Sequence, residues 1–408
     1  MSVPLRELPA STDERRHTRP GPSLSPGAAT ALLDAYRSGT DRLLATPHRT
    51  LLAHGTAAET PHDARPLPER VRHLLDARRK AGDPAPLVVG ALPFAPDAPA
   101  ALAVPERVRC APPLREDPLV VLPVPEREAE GRWEMREVPS AERYGQAVAS
   151  AVARMRAGEF DKVVLARTLE LTAPGEPDLP AMLRRLARRD PAGYTFAVPS
   201  GPGRTLVGAS PELLVARRKG HLTANPLAGS APRSDDLAED VRRAAALLES
   251  PKDLHEHAVV VDAVREALAP YCSRLETPPR PTLVRTAAMW HLSTTVTGEL
   301  SDPSVTALEL ASALHPTPAV CGTPTRTARE VIAALEPFAR GPYTGMVGWQ
   351  DADGDGEWVV TIRCAEAEGS RLRLFAGAGV VADSSPEAET AETAAKFRTF
   401  LDAVGAAL

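Results

Sequence analysis

With 408 residues, 43% of them apolar, and a formal net charge of −5, the chain can bury a large core as one big domain or two ordinary ones. That charge leaves no basic footprint for nucleic acid, and no apolar run approaches the ~18 residues that span a bilayer. The N-terminus has no apolar signal-type stretch, and Cys110, Cys272, Cys321 and Cys364 form no C-x-x-C pair, so a cytoplasmic protein with reduced thiols is expected.

In chain order, residues 1–26 are rich in Pro, Ser and charge and read as a disordered tail. One domain is expected from 27 to 408. Short apolar pieces either side of Pro47 predict a hairpin over 41–55, Val71, Leu74 and Leu75 a helix over 68–81, and Leu87 to Leu92 a strand. Residues 111–136 are Pro-rich and acidic and read as a connector. Ser140 caps a helix with the stripe Tyr144, Val148, Val152 and Met155. Branched residues from Phe160 to Leu171 predict a strand whose alternation puts Lys162 on the side of Val164, Ala166 and Thr168. A helix over 178–188, a strand over 194–198, the run Leu206 to Val215, and a hairpin at Lys219-Gly220 follow. Residues 235–250 form a helix leading into a second apolar helical run, Ala258 to Leu268.

Further strands are expected at 289–297, 345–350, 357–365 and 371–376, with helices at 305–314 and 328–335. The last helix has Ser385 as cap and Pro386 at its first position. Strands outnumber what a parallel sheet would give, and hairpins recur. The fold class is therefore α+β, with mixed or antiparallel sheets covered by helices.

Two features carry chemistry. Asp253 and Glu256, three apart, share a helix face, as do Glu389 and Glu392, with Lys396 a turn further on. Taken singly, each doublet reads as a solvated helix face. Together, two doublets on two helices can hold one hard divalent cation through oxygen ligands. The second feature is a bias: only five of 48 basic residues are lysines, namely Lys80, Lys162, Lys219, Lys252 and Lys396. In a chain that writes arginine for surface charge, a retained lysine marks a place where an amine able to lose its proton is wanted.

Several short motifs fail on inspection. Asp351-x-Asp353-x-Asp355-Gly356 matches half an EF-hand loop, but its twelfth position is Ile362, so a hairpin turn between Trp349 and Trp358 is expected. Gly377-Ala-Gly-Val-Val-Ala382 fits G-x-G-x-x-A but lies at the wrong end of the chain for a dinucleotide fold, and reads as a strand end where bare backbone approaches a ligand. His255-Glu-His257 lacks the second histidine of HExxH. His291, taken alone, reads as a packed core histidine.

Asp161-Lys-Val-Val-Leu-Ala-Arg167, Gly208-Ala-Ser-Pro-Glu212, Pro226-Leu-Ala-Gly-Ser230, Lys252-Asp-Leu-His-Glu-His257, His315-Pro-Thr-Pro-Ala319, Gly356-Glu-Trp-Val-Val-Thr-Ile-Arg363, Phe375-Ala-Gly-Ala-Gly379 and Glu389-x-x-Glu392-x-x-x-Lys396 occur in one order. By these motifs the chain, from about residue 40 to its end, resembles the chorismate-utilising enzymes. Among them it most resembles isochorismate synthases of the siderophore type.

The resemblance implies a single-domain, four-layer α/β/β/α fold and Mg²⁺-dependent conversion of chorismate to isochorismate. Lys162 matches the general base that activates water for attack at C2. Glu212 matches the general acid that protonates the departing C4 hydroxyl. Glu256 and Glu392 match Mg²⁺ ligands, supported by Asp253 and Glu389. Arg363, Lys396 and the Gly377 backbone match groups that hold substrate carboxylates, while Ala228, Gly229, His291 and Ala319 match the pocket wall. A monomer without a glutaminase partner is implied.

That chemistry suits the residue types. A lysine serves as base only when neutral, and a glutamate arrives protonated only in a desolvated pocket. Departures from the family pattern are Leu254 for an arginine, Thr390-Ala391 for a Trp-Arg pair, and the unusual Pro251 and Pro342. A salicylate synthase, which goes on to eliminate pyruvate, and a non-catalytic chorismate-binding relative are the alternative readings.

Overall fold

The computed structural model describes residues 27–122 and 133–404; the expected tail at 1–26 lies outside them. Two antiparallel sheets, one of ten strands and one of nine, stack face to face, and a three-stranded sheet lies beside them. Apolar residues of alternating register fill the space between the large sheets: Leu44, Phe196, Val198 and Leu206 from the first meet Val89, Val347, Trp349 and Val359 from the second. Helices Ala28–Ala35, Leu179–Arg189 and Pro386–Val404 cover the outer face of the ten-stranded sheet. Leu67–Lys80, Pro251–Leu268 and Ala307–Leu314 cover that of the nine-stranded sheet. This is the expected α/β/β/α stack.

Locally encoded elements fall where the sequence puts them. Asp41–Ala45 and Thr50–His54 pair as the first hairpin. Ser140, Asp178, Ser250 and Thr306 each cap a helix through a side-chain oxygen. Ser385 Oγ accepts from Ala388 N at 3.1 Å at the start of the last helix. The Asp351 to Gly356 segment is the expected hairpin turn, with Asp351 Oδ1 accepting from the N–H groups of Asp353 and Asp355. The connector at 111–136 includes two short 3₁₀ turns, Leu114–Glu116 and Pro118–Val121, and enters the strand Glu134–Val138; its residues 123–132 lie outside the described residues.

Three long runs that read as continuous are broken. Leu206 to Val215 divides into Arg204–Ser210, in the ten-stranded sheet, and Leu213–Arg218, in the nine-stranded one. Pro211 ends the first because it has no N–H for the ladder. The expected strand at 357–365 divides likewise into Gly356–Val360 and Cys364–Glu368, which lie in opposite sheets. The expected strand at 289–297 becomes Met289–Ser293 in the small sheet and Val296–Leu300 in the nine-stranded one.

The first two breaks are neighbours, since Gly208 pairs with Cys364 in one sheet and Leu213 with Val359 in the other. Both segments change sheet at the same point, and there they present Glu212 and Arg363. One expectation is corrected outright. Gly377 is no strand end but lies inside Arg371–Val380, paired with Ala166, because the neighbouring strand Lys162–Thr172 is long enough to continue the ladder to Val380.

Candidate active site

A cavity of about 310 Å³ opens where the two crossings meet the N-terminal turns of Pro251–Leu268 and Pro386–Val404. Its wall includes Glu212, Ala228, Gly229, Asp253, Glu256, His291, Ala319, Arg363, Gly377, Glu389, Glu392 and Lys396. Every residue expected at the site therefore lines this cavity except Lys162. That side chain stands immediately behind the wall, 4% exposed, with Nζ donating to Glu256 Oε1 at 2.7 Å.

Glu212 owes its place to the sheet crossing. Its N–H donates to Ser210 Oγ at 3.2 Å and its carbonyl accepts from Val360 N at 3.1 Å, so the backbone is pinned from both sheets. Burial pushes its carboxyl from 4.5 up to about 8, although the Leu227 N–H and the charges of Lys162 and Arg363 pull the other way. This is a carboxylic acid that holds its proton at neutral pH, as the acid role requires. Arg363 sits at the other crossing with φ +51°, a left-handed backbone that is rare outside glycine. Burial pulls its guanidinium below its ordinary value, opposed by Tyr343, Glu392 and Glu212.

The four helix carboxylates come from two elements and lie in one cavity. Ser250, the cap of its helix, donates its hydroxyl to Asp253 Oδ2 at 2.5 Å, which fixes that side chain. Burial pushes Glu389 up, with Glu392 adding to the effect. Burial also acts to raise Glu392, but Lys396, Arg363 and Lys252 outweigh it and hold this carboxyl below its usual range. The doublet is thus divided into a readily ionised member and one that resists ionisation.

Among the described residues, no three His, Cys, Asp or Glu side chains converge as a closed metal cluster. Glu256 and Glu392 are turned onto Lys162 and onto Lys396, the latter at 2.5 Å. The donor set itself consists of hard carboxylate oxygens, which suits Mg²⁺.

The rest of the wall includes backbone and imidazole. Lys396 Nζ also donates to Gly377 O at 2.7 Å, tying the last helix to the strand Arg371–Val380. His257, unlike exposed His255, is buried; its Nδ1 is 3.2 Å from Ala228 O and its Nε2 is 2.7 Å from Thr294 Oγ1, so it anchors the Ala228-Gly229 wall instead of binding metal. His291 is 7% exposed, and its Nε2 has no hydrogen-bond partner among the described residues. Burial, then Arg363 and Lys396, hold its imidazole well below 6.5 and therefore neutral. His291 thus lines the cavity with one ring nitrogen unpaired, unlike the fully satisfied, packed core histidine that the residue alone suggested.

Sequence reasoning missed two contributors. Tyr343 lines the cavity, stacked on Phe375 at 4.9 Å between ring centroids. Gly379 is the second. A Cβ there would stand 3.0 Å from Glu256 Oε1 and 3.2 Å from Lys162 Cε, so a bare backbone lets the amine and carboxylate meet. The signal for both was present, in Gly341-Pro-Tyr-Thr-Gly345 and in the second glycine of Gly377-Ala-Gly379, but their roles depend on distant partners.

The family model described as chorismate binding enzyme matches residues 122–405. Isochorismate synthase DhbC of Bacillus subtilis is 53% identical over 385 residues, covering 92% of this chain and 96% of that protein. The vibriobactin-specific isochorismate synthase of Vibrio cholerae is 42% identical over 379 residues, covering 92% and 94%. The crystal structure described as a putative 2,3-dihydroxybenzoate-specific isochorismate synthase, DhbC from Bacillus anthracis, superposes with a TM-score of 0.87 at 48% identity, covering 93% of this chain and all of that one. With the motifs, the stacked sheets and the cavity at their crossings, these similarities make one conclusion plain: the chain belongs to the chorismate-binding enzyme family.

Proposed function

We propose that the protein is an isochorismate synthase, an isomerase that adds a water-derived hydroxyl at C2 of chorismate as the C4 hydroxyl leaves, and so supplies aryl-acid siderophore synthesis. The observation that carries this reading is the pairing of a buried acid, Glu212, with a buried amine, Lys162, around one cavity walled by four carboxylates. Lys162 takes a proton from the water that adds at C2. The ring double bond shifts, and Glu212 gives its proton to the hydroxyl leaving C4, so one water enters and one departs. Both residues must then be reset, Glu212 regaining a proton and Lys162 losing one.

Lys162 acts as base only when it is released from Glu256. Glu256 and Glu392 would hold Mg²⁺, with Asp253 and Glu389 supporting them. Bound there, the ion would supply positive charge for the ring carboxylate. Arg363 grips a substrate carboxylate with a fork of N–H donors, and Lys396 contributes a point charge beside the Gly377 backbone. His291 offers its free Nε2 to the ligand.

The test is incubation of purified protein with chorismate, with and without Mg²⁺, followed by chromatography. Isochorismate formed only with Mg²⁺ is expected. Salicylate as the main product would move the protein to the pyruvate-eliminating reading, and unchanged chorismate would leave a binding protein.

A further inference from the structure

The strand that carries Lys162 has an incomplete edge. On one side Arg371–Val380 pairs with it from Val163 to Thr172. On the other, Gly322–Thr323 pairs only at Lys162 and Val163, and Glu134–Val138 only from Thr168 onward. Between them, side chains stand in for a strand. Ala166 N donates to Glu336 Oε1 at 2.8 Å, and Val164 O accepts from Arg340 Nη2 at 2.7 Å.

Glu336 and Arg340, one helical turn apart in sequence, are themselves joined as a fork, with contacts of 2.8 and 2.5 Å, and their side chains are 3% and 2% exposed. Arg340 Nη1 donates to Val320 O at 2.9 Å and to Thr344 Oγ1 at 3.1 Å. All five guanidinium N–H groups are therefore committed: two to Glu336, one to the strand of the amine, one to the loop of Ala319 and one to the turn of Tyr343. Val164, Val320 and Thr344 each line the cavity.

A buried ion pair is poor evidence of stability, since apolar replacements of similar volume are often neutral or better. We infer that Glu336 and Arg340 are a positioning pair, which holds three walls of the cavity in register with Lys162. The inference rests on the reading of Lys162 as base. A five-donor fork is needed because lysine, with three donors, cannot reach every acceptor at once.

The test compares wild type with R340K, which keeps the charge pair, and with E336Q/R340M, which removes both charges at similar volume. The readouts are kcat, KM for chorismate and melting temperature. Expected for both variants is a kcat at least 10-fold lower, KM within about 3-fold of wild type and a melting temperature within a few degrees, with R340K the more active. Absence of isochorismate formation in the wild type would refute the catalytic reading itself. Wild-type kcat in either folded variant would overturn the positioning role while leaving that reading intact. A parallel loss of folding and activity in both variants would assign the pair to stability alone and overturn it too.

Discussion

Lys162 and Glu212 are both buried, yet they answer to different forces. Lys162 is held by an ion pair across 94 positions of sequence, and Glu212 by a desolvated crossing between sheets. Replacing Lys162 with alanine should lower kcat by ~10²–10⁴-fold, the usual worth of a general base. Circular dichroism should show an unchanged fold, because Glu256 is partly exposed and water can satisfy it.

Glu212→Gln should abolish turnover and reveal a pH signature. The folded carboxyl titrates near 8 and the unfolded one near 4.5, so the unfolded state gives up its proton first. Wild-type stability should therefore fall relative to the glutamine variant from about pH 4.5 to about pH 8, by at most ~1.4 kcal/mol per pH unit, and level off above. Denaturant titrations at pH 5, 7 and 9 measure this. Wild-type activity should decline above about pH 8, as the acid loses its proton.

At the scale of elements, the site is made by strands that leave one sheet for another and by two helix starts. Helices were legible because their signals are local: Ser140 and Ser385 cap where they were read, and Asp178, Ser250 and Thr306 cap three further helices. The crossings were not legible. Apolar runs flank Glu212 and Arg363 on both sides, Leu206-Val207 and Leu213-Leu214-Val215 around the first, Val359-Val360 and Cys364-Ala365 around the second, and such runs do not say which sheet each flank joins. Only Pro211 hints at the first. Gly379 illustrates the same limit. Its need for a bare backbone comes from its pairing with Val164 and the nearness of Glu256. Gly379→Ala should lower kcat at least 10-fold by pushing the Lys162 and Glu256 side chains out of their places beside the cavity, with little change in melting temperature; steady-state kinetics and calorimetry test both halves. A variant with wild-type kcat would show that the contact yields.

For the whole molecule, the acidic quartet joins Pro251–Leu268, which covers one sheet, to Pro386–Val404, which covers the other. A cation held by both helices would tie the two outer layers together and stabilise only the folded chain. Mg²⁺ at 100 times its dissociation constant should add about 2.7 kcal/mol, visible as a raised melting temperature. In Glu256→Ala and Glu392→Ala variants that rise should disappear along with Mg²⁺-dependent turnover. A full rise in either variant would place the ion elsewhere.

What the sequence determined by itself is the α+β class, the capped helices, the paired carboxylates on two helix faces, and the residue types the chemistry needs. All of these are written in short-range periodicity and in motifs that keep their order. What only the tertiary structure decided is which sheet each strand joins, that Glu212 and Arg363 meet at a double crossing, that Lys162 stands behind Glu256 and not on the open wall, that Tyr343 and Gly379 line the cavity, and that Arg340, paired with Glu336, bonds to three residues of its wall. The physical reason is that burial, strand register and ion pairing across many residues are properties of neighbours, and a sequence names a residue's neighbours only along the chain.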